Sequence, residues 1–189
     1  MDKAIKDYLR PGEQILWESR TIPFKLLGKW DKGRILRSWI ITAVCFVVIM
    51  AVYFRFNANP SAGLIGLFVL IAAMIAVSPV LERQSLLGQR YFITDKRAIV
   101  MTRGKSFYYV TLKRAGGGEV ISGLADGDCI AIGRGISESA RKQLRWQCCH
   151  PKRSASAEDH DCVSALAFYC PENPEGAISA IGSAGKRAA

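Results

Sequence analysis

Charge is almost absent from one stretch of this 189-residue chain: between residues 38 and 81 the single charged residue is Arg55. That gap excludes a plain soluble domain and a disordered chain. Histidine is scarce, with only two, His150 and His160. No nucleophile-elbow, H-E-x-x-H or G-x-x-x-x-G-K-[ST] motif occurs. The glycine clusters Gly116-Gly117-Gly118 and Gly133-Arg134-Gly135 sit in no strand–glycine–helix context and read as turns. Cysteines number six, Cys45, Cys129, Cys148, Cys149, Cys162 and Cys170, with no C-x₂₋₄-C pairing of the kind tetrahedral zinc favours. Neither a metal site nor a cofactor is expected, and the chain is read as non-enzymatic.

What is present begins with two uncharged runs, Ser38–Phe54 and Ala62–Leu81. As helices they would reach roughly 25 and 30 Å, about the hydrocarbon thickness of a bilayer. The first is slightly short and would borrow flanking residues. Between them Asn59-Pro60-Ser61 signals a turn, so the runs read as a hairpin crossing a membrane twice. A soluble helical hairpin would need more apolar surface around it than the rest of the chain supplies. The apolar run starts too far along the sequence for a short secretory leader. Pro79 should kink the last turn of the second span or help end it.

Basic residues set the expected orientation. Arg20, Lys25, Lys29, Lys32, Arg34 and Arg37 precede the first span, and Arg83, Arg90, Lys96 and Arg97 follow the second. The positive-inside rule then places both termini in the cytoplasm and the short loop outside. The net charge of +10 is largely absorbed by this topology, and no nucleic-acid partner is expected. A reducing cytoplasm also argues against stable disulfides.

Three regions follow: an N-terminal arm (1–37), the hairpin (38–81) and a cytoplasmic domain (82–189). In the arm, Gln14–Arg20 has strand-like content after an Arg10–Glu13 turn. Phe24, Leu27 and Trp30 are expected to share one face of an interfacial segment. The domain shows short β-type runs at 89–93, 97–102, 106–112, 119–122, 129–133 and 163–169. Pro171–Gly182 reads as a closing helix, with Glu172 and Glu175 in its first turn. The fold class is therefore a membrane α-helical hairpin plus an α+β, mostly β domain: a curved antiparallel sheet or barrel with a C-terminal helix. A polar stretch, Arg134–Asp161, reads as a long loop with a short helix at Glu138–Trp146.

Leu9-Arg10-Pro11-Gly12-Glu13-Gln14-Ile15-Leu16-Trp17 and Tyr91-Phe92-Ile93-Thr94-Asp95-Lys96-Arg97-Ala98-Ile99-Val100 look like an "L-x-P-G-E-x-I-x-W" and a "Y-x-x-T-[DN]-x-R-x-[IL]" element. With a hydrophobic hairpin between them, the chain resembles the bacterial pleckstrin-homology-like membrane proteins. The resemblance implies a bent antiparallel sheet with a C-terminal helix, a strand at Gln14–Arg20 that joins the C-terminal sheet, and a non-catalytic adaptor in a bacterial inner membrane. The long 134–161 stretch departs from that pattern.

Two assignments stay open for Thr94-Asp95-Lys96-Arg97. Lys96 and Arg97 could contact lipid phosphates, or Thr94 and Asp95 could build a turn while Arg97 pairs with a carboxylate inside the fold. The leading functional expectation is an adaptor that binds a membrane-protein partner, through a sheet edge or the 134–161 stretch, with Trp146 as anchor. The alternative is a sensor of anionic membrane lipids using Lys96, Arg97, Arg103 and Lys105. A minor third reading is a metal or redox site built from Cys148, Cys149, His150, His160, Cys162 and Cys170.

Overall fold

The computed structural model describes residues 5, 8–28, 31–102, 107–115, 117–122, 127–133, 155–156, 159–163 and 165–188. The chain divides into two compact units. One is Phe24–Gln84; the other joins Met1–Pro23 to Ser85–Ala189.

The first unit contains most of α1 (Lys32–Phe56) and α2 (Ala62–Leu87). α1 extends beyond its uncharged run at both ends, as that short run requires, and α2 extends beyond its run at the C-terminal end. Both are long and apolar enough to cross a membrane, and only 6% of each apolar window is buried. Ile40, Val47, Leu70 and Met74 point outward, so these side chains do not form the core of a soluble bundle.

Polar contacts at both ends tie the two helices together. Near the connecting loop, the Ser61 N–H donates to the Tyr53 hydroxyl at 2.7 Å, and the Tyr53 ring meets Phe68 edge-on. Toward the opposite ends of the helices, Arg34 pairs with Glu82 at 3.4 Å. Arg34 is half exposed, so that pair contributes about 1 kcal/mol or less.

Pro79 does not end α2, which continues for about two more turns to Leu87. Proline has no N–H to offer the preceding turn. The Trp39 indole N–H donates into that turn, to the Ala76 carbonyl at 3.1 Å. Residues ahead of α1 do not form the expected shared apolar face. Phe24 is buried, with its carbonyl accepting from Arg83 Nε at 2.7 Å, whereas Leu27 is exposed; Trp30 lies outside the described residues.

The second unit is built from β1 (Ile15–Arg20), β2 (Arg90–Thr94), β3 (Arg97–Met101), β4 (Phe107–Thr111), a one-turn α3 (Leu112–Ala115), β5 (Gly118–Ile121), β6 (Cys129–Gly133), β7 (Ala155–Ser156), β8 (Asp159–Val163), β9 (Ala165–Phe168) and α4 (Pro174–Ala188). One sheet runs β1-β2-β3-β4-β8-β7 and a second β5-β6-β9. β1 pairs antiparallel with β2, from Ile15 opposite Thr94 to Arg20 opposite Arg90. The hairpin is therefore inserted between two neighbouring strands.

Four expectations need correction. The 134–161 stretch is not all loop, because β7 and the first residues of β8 lie within it and join the larger sheet. The sheet is not wholly antiparallel, because β4 and β8 meet in parallel where Tyr109 faces Cys162. The apolar run at 163–169 is not one strand: Val163 ends β8 and Ala165 begins β9, in different sheets. The closing helix begins at Pro174 rather than Pro171, because the Asn173 side chain accepts from the Gly176 N–H at 2.8 Å and caps it there. Pro171 instead forms a bridge to Thr21, and Gly182 lies inside α4.

Strand alternation divides the sheet's side chains between two cores. Tyr91, Ile93, Ala98, Val100 and Val110 face β6, β9 and α4, where they meet Ile130, Leu166, Phe168, Ala177 and Ile181. Phe92, Ile99, Met101, Phe107 and Tyr109 face the other way, against Ile5 and Leu9 of the N-terminal arm. Burial on both faces explains why these strands read as nearly continuous apolar runs.

α4 lies so close to β5 that a Cβ on Gly118 would approach the Ile181 Cδ1 to 2.6 Å and the Ile178 Cδ1 to 3.3 Å. Gly118→Ala should therefore lower stability by about 1–3 kcal/mol through overpacking. A thermal unfolding midpoint equal to wild type in detergent would contradict this close approach.

Candidate functional site

The two sequence elements that carry the family resemblance meet in space. The turn between β2 and β3 holds Thr94, whose hydroxyl accepts from the Arg97 N–H at 2.8 Å and the Lys96 N–H at 3.2 Å. Asp95 reaches the strand start before β1: its carboxylate accepts from the Gln14 N–H, and its own N–H donates to the Gln14 carbonyl, both at 3.1 Å. Glu13, next to Gln14, turns inward.

Glu13 and Arg97 form a buried two-point ion pair. Arg97 Nη2 lies 2.6 Å from Glu13 Oε2, and Nε 3.0 Å from Oε1. Their side chains are 0% and 4% exposed. The Thr94 hydroxyl donates to Glu13 Oε1 at 2.6 Å, and the Arg10 N–H donates to Oε2 at 2.8 Å. Arg97 also donates to the Tyr8 carbonyl at 3.1 Å. Its guanidinium carbon sits 4.6 Å from the Tyr109 ring centroid, within cation–π range.

Burial alone would push the Glu13 carboxyl up. Hydrogen bonds from Arg97, Thr94 and the Arg10 backbone, with the charge of Arg97, overcome this and bring it from 4.5 down to about 2.

This geometry decides between the two assignments for the turn. Arg97 is spent inward on Glu13, Tyr8 and Tyr109, so it does not present its guanidinium to lipid phosphates. Placing it among surface binding residues is corrected by its burial. Lys96 is exposed and keeps that option. Arg103, Lys105 and Trp146 lie outside the described residues. Sequence reasoning foresaw a carboxylate partner for Arg97 but did not name it. The signal was available, since Glu13 is the acid of the Leu9–Trp17 element.

A second polar cluster was not foreseen. It surrounds the points where the chain leaves the sheet unit and returns. The Tyr91 hydroxyl lies 2.8 Å from Thr21 Oγ1 and 3.1 Å from Gln89 Oε1, and accepts from the Tyr169 N–H at 3.1 Å. Thr21 Oγ1 donates to the Leu86 carbonyl at 2.9 Å. The strand before the insertion is thus bonded to the helix end after it.

Among the described residues, no group of three or more His, Cys, Asp or Glu is placed to hold a metal. Cys148, Cys149 and His150 lie outside those residues. Cys162 packs on the outer core, and Cys170 lies beside Cys129.

Glu13 ties stability to acidity. Its folded value lies below its ordinary one, so its contribution is complete above about pH 4.5 and is lost as pH falls toward about 2. That contribution is on the order of 3 kcal/mol at neutral pH. Denaturant unfolding of the detergent-solubilised protein across this range should show the loss. Glu13→Gln, which strands a buried guanidinium, should cost about 3–5 kcal/mol at pH 7, while Lys96→Ala should change stability by less than ~0.5 kcal/mol. Equal effects of the two substitutions would refute the inward assignment of this turn.

Comparison of the chain with family models, with curated proteins and with solved structures gives no match.

Proposed function

We propose that this chain is a non-enzymatic membrane adaptor: an apolar hairpin anchors a pleckstrin-homology-like sheet domain that binds a membrane-protein partner. The observation that carries the reading is the insertion of two apolar, outward-facing helices between the paired strands β1 and β2. Such an insertion returns the chain to the side it left, so both connections to the anchor emerge on one face of the membrane. The basic residues flanking the hairpin favour the cytoplasmic side for both connections, and the family resemblance implies a bacterial inner membrane. The antiparallel run β1–β4, the three-strand sheet and the closing helix agree with the arrangement that the family resemblance implies.

The partner contact is assigned to the Arg134–Asp161 stretch, with Trp146 as its aromatic anchor. The lipid-sensor alternative loses Arg97, which the Glu13 pair occupies, and retains exposed Lys96. A headgroup sensor would also lose peripheral binding at high ionic strength.

Tagged full-length protein, gently solubilised from native membranes, should bring down one stoichiometric membrane protein identifiable by mass spectrometry. Trp146→Ala should reduce its recovery at least several-fold while the bait remains folded. Recovery of lipid alone with a well-folded bait would refute the adaptor reading.

A further inference from the structure

Two cysteines far apart in sequence are brought together in the sheet unit. Cys129 opens β6, and Cys170 follows β9, the antiparallel neighbour of β6. Their sulfurs are 4.0 Å apart, and the residues are 0% and 2% exposed. A disulfide needs about 2.05 Å, a closure of roughly 2 Å. Cys170 is also the only non-glycine with positive φ among the described residues, at +45°. Its sulfur lies 3.5 Å from the Gly127 carbonyl. Gly127 is half-buried and precedes exposed Asp128, so the segment touching the Cys170 sulfur reaches solvent.

The surroundings give a bond there two consequences. The Cys170 carbonyl accepts from the Ile22 N–H at 2.8 Å, Pro171 bridges to Thr21, and the Glu172 N–H donates to Ser19 Oγ at 2.9 Å. Residues 170–172 thus clamp the end of β1, just before the helical insertion. The 41-residue separation of the two cysteines also means that a bond would close a loop of chain that contains β7 and β8.

We propose that Cys129 and Cys170 are a reversible dithiol switch, oxidised to a disulfide by a peroxide. The Cys170 thiolate attacks one peroxide oxygen, the O–O bond breaks, and Cys170 becomes a sulfenic acid as hydroxide departs and takes up a proton to form water. Cys129 then attacks the Cys170 sulfur. The S–O bond breaks, the S–S bond forms, and the oxygen leaves as a second water with the Cys129 proton. Two electrons pass from the two thiols to the peroxide. A thiol reductant reverses the bond by exchange. A transient disulfide of this kind is compatible with a reducing compartment, where stable ones do not persist.

The test uses the full-length, pre-reduced protein in detergent, treated with hydrogen peroxide, alkylated and digested under non-reducing conditions. A Cys129–Cys170 linked peptide should be the major oxidised species and disappear with dithiothreitol. It should form equally in a Cys148→Ser/Cys149→Ser variant, which removes competing partners. Closing the loop should raise the thermal unfolding midpoint of the oxidised protein by roughly 5–10 °C, and Cys129→Ala should abolish the shift. Exclusive linkage of other cysteines in the folded protein, over-oxidation to sulfinic acid without linkage, or failure of dithiothreitol to reverse the bond would each overturn the proposal. The peptide map of the wild-type chain decides the matter even if Cys129→Ala does not fold.

Discussion

The antiparallel pairing of β1 with β2 is the constraint on which the rest of the molecule depends. These strands are separated in sequence by the whole helical hairpin, yet they lie side by side from Ile15 opposite Thr94 to Arg20 opposite Arg90. Closing so long a connection has an entropic cost that backbone hydrogen bonds at a sheet edge must offset. Glu13 and Arg97 lock one end of the pairing, and the Thr21–Tyr91 cluster locks the other. A slip of one residue would leave a buried charge without its counter-charge and turn Trp17 away from its stack on Phe168. The register is thus held by what misalignment would cost.

The Glu13–Arg97 pair also shows why burial changes the meaning of a basic residue. Arg97 and Lys96 are adjacent and carry the same charge, but Arg97 opens buried β3 whereas Lys96 stands in the exposed turn before it. The buried guanidinium is satisfied by a carboxylate, a carbonyl and an aromatic face. The exposed ammonium remains available to phosphate.

The two units dispose of their apolar residues differently. In the sheet unit, apolar strands are covered on both faces, by β6, β9 and α4 on one side and by Ile5 and Leu9 on the other. In the hairpin unit, many apolar side chains are exposed, and polar groups bind one another across the hairpin, as with Trp39 to Ala76 and Tyr53 to Ser61. Outward apolar faces on helices of this length are compatible with a hydrocarbon surround, where helical backbone groups satisfy one another.

From the sequence alone came the hairpin, the positions of most strands and the closing helix, because each depends on local periodicity, charge and turn chemistry. The carboxylate partner of Arg97 was partly legible, since Glu13 stands in a recognisable turn element. Tertiary structure decided the rest. The division of the 163–169 run between two sheets, the parallel contact of β4 with β8, the Tyr91 cluster and the Cys129–Cys170 approach all join residues distant in sequence. Helix and strand periodicity report which face of an element is apolar; they do not report which other element covers it. That choice is made when the strands pair and the cores close, and there Arg97 was buried and Cys129 was brought to Cys170.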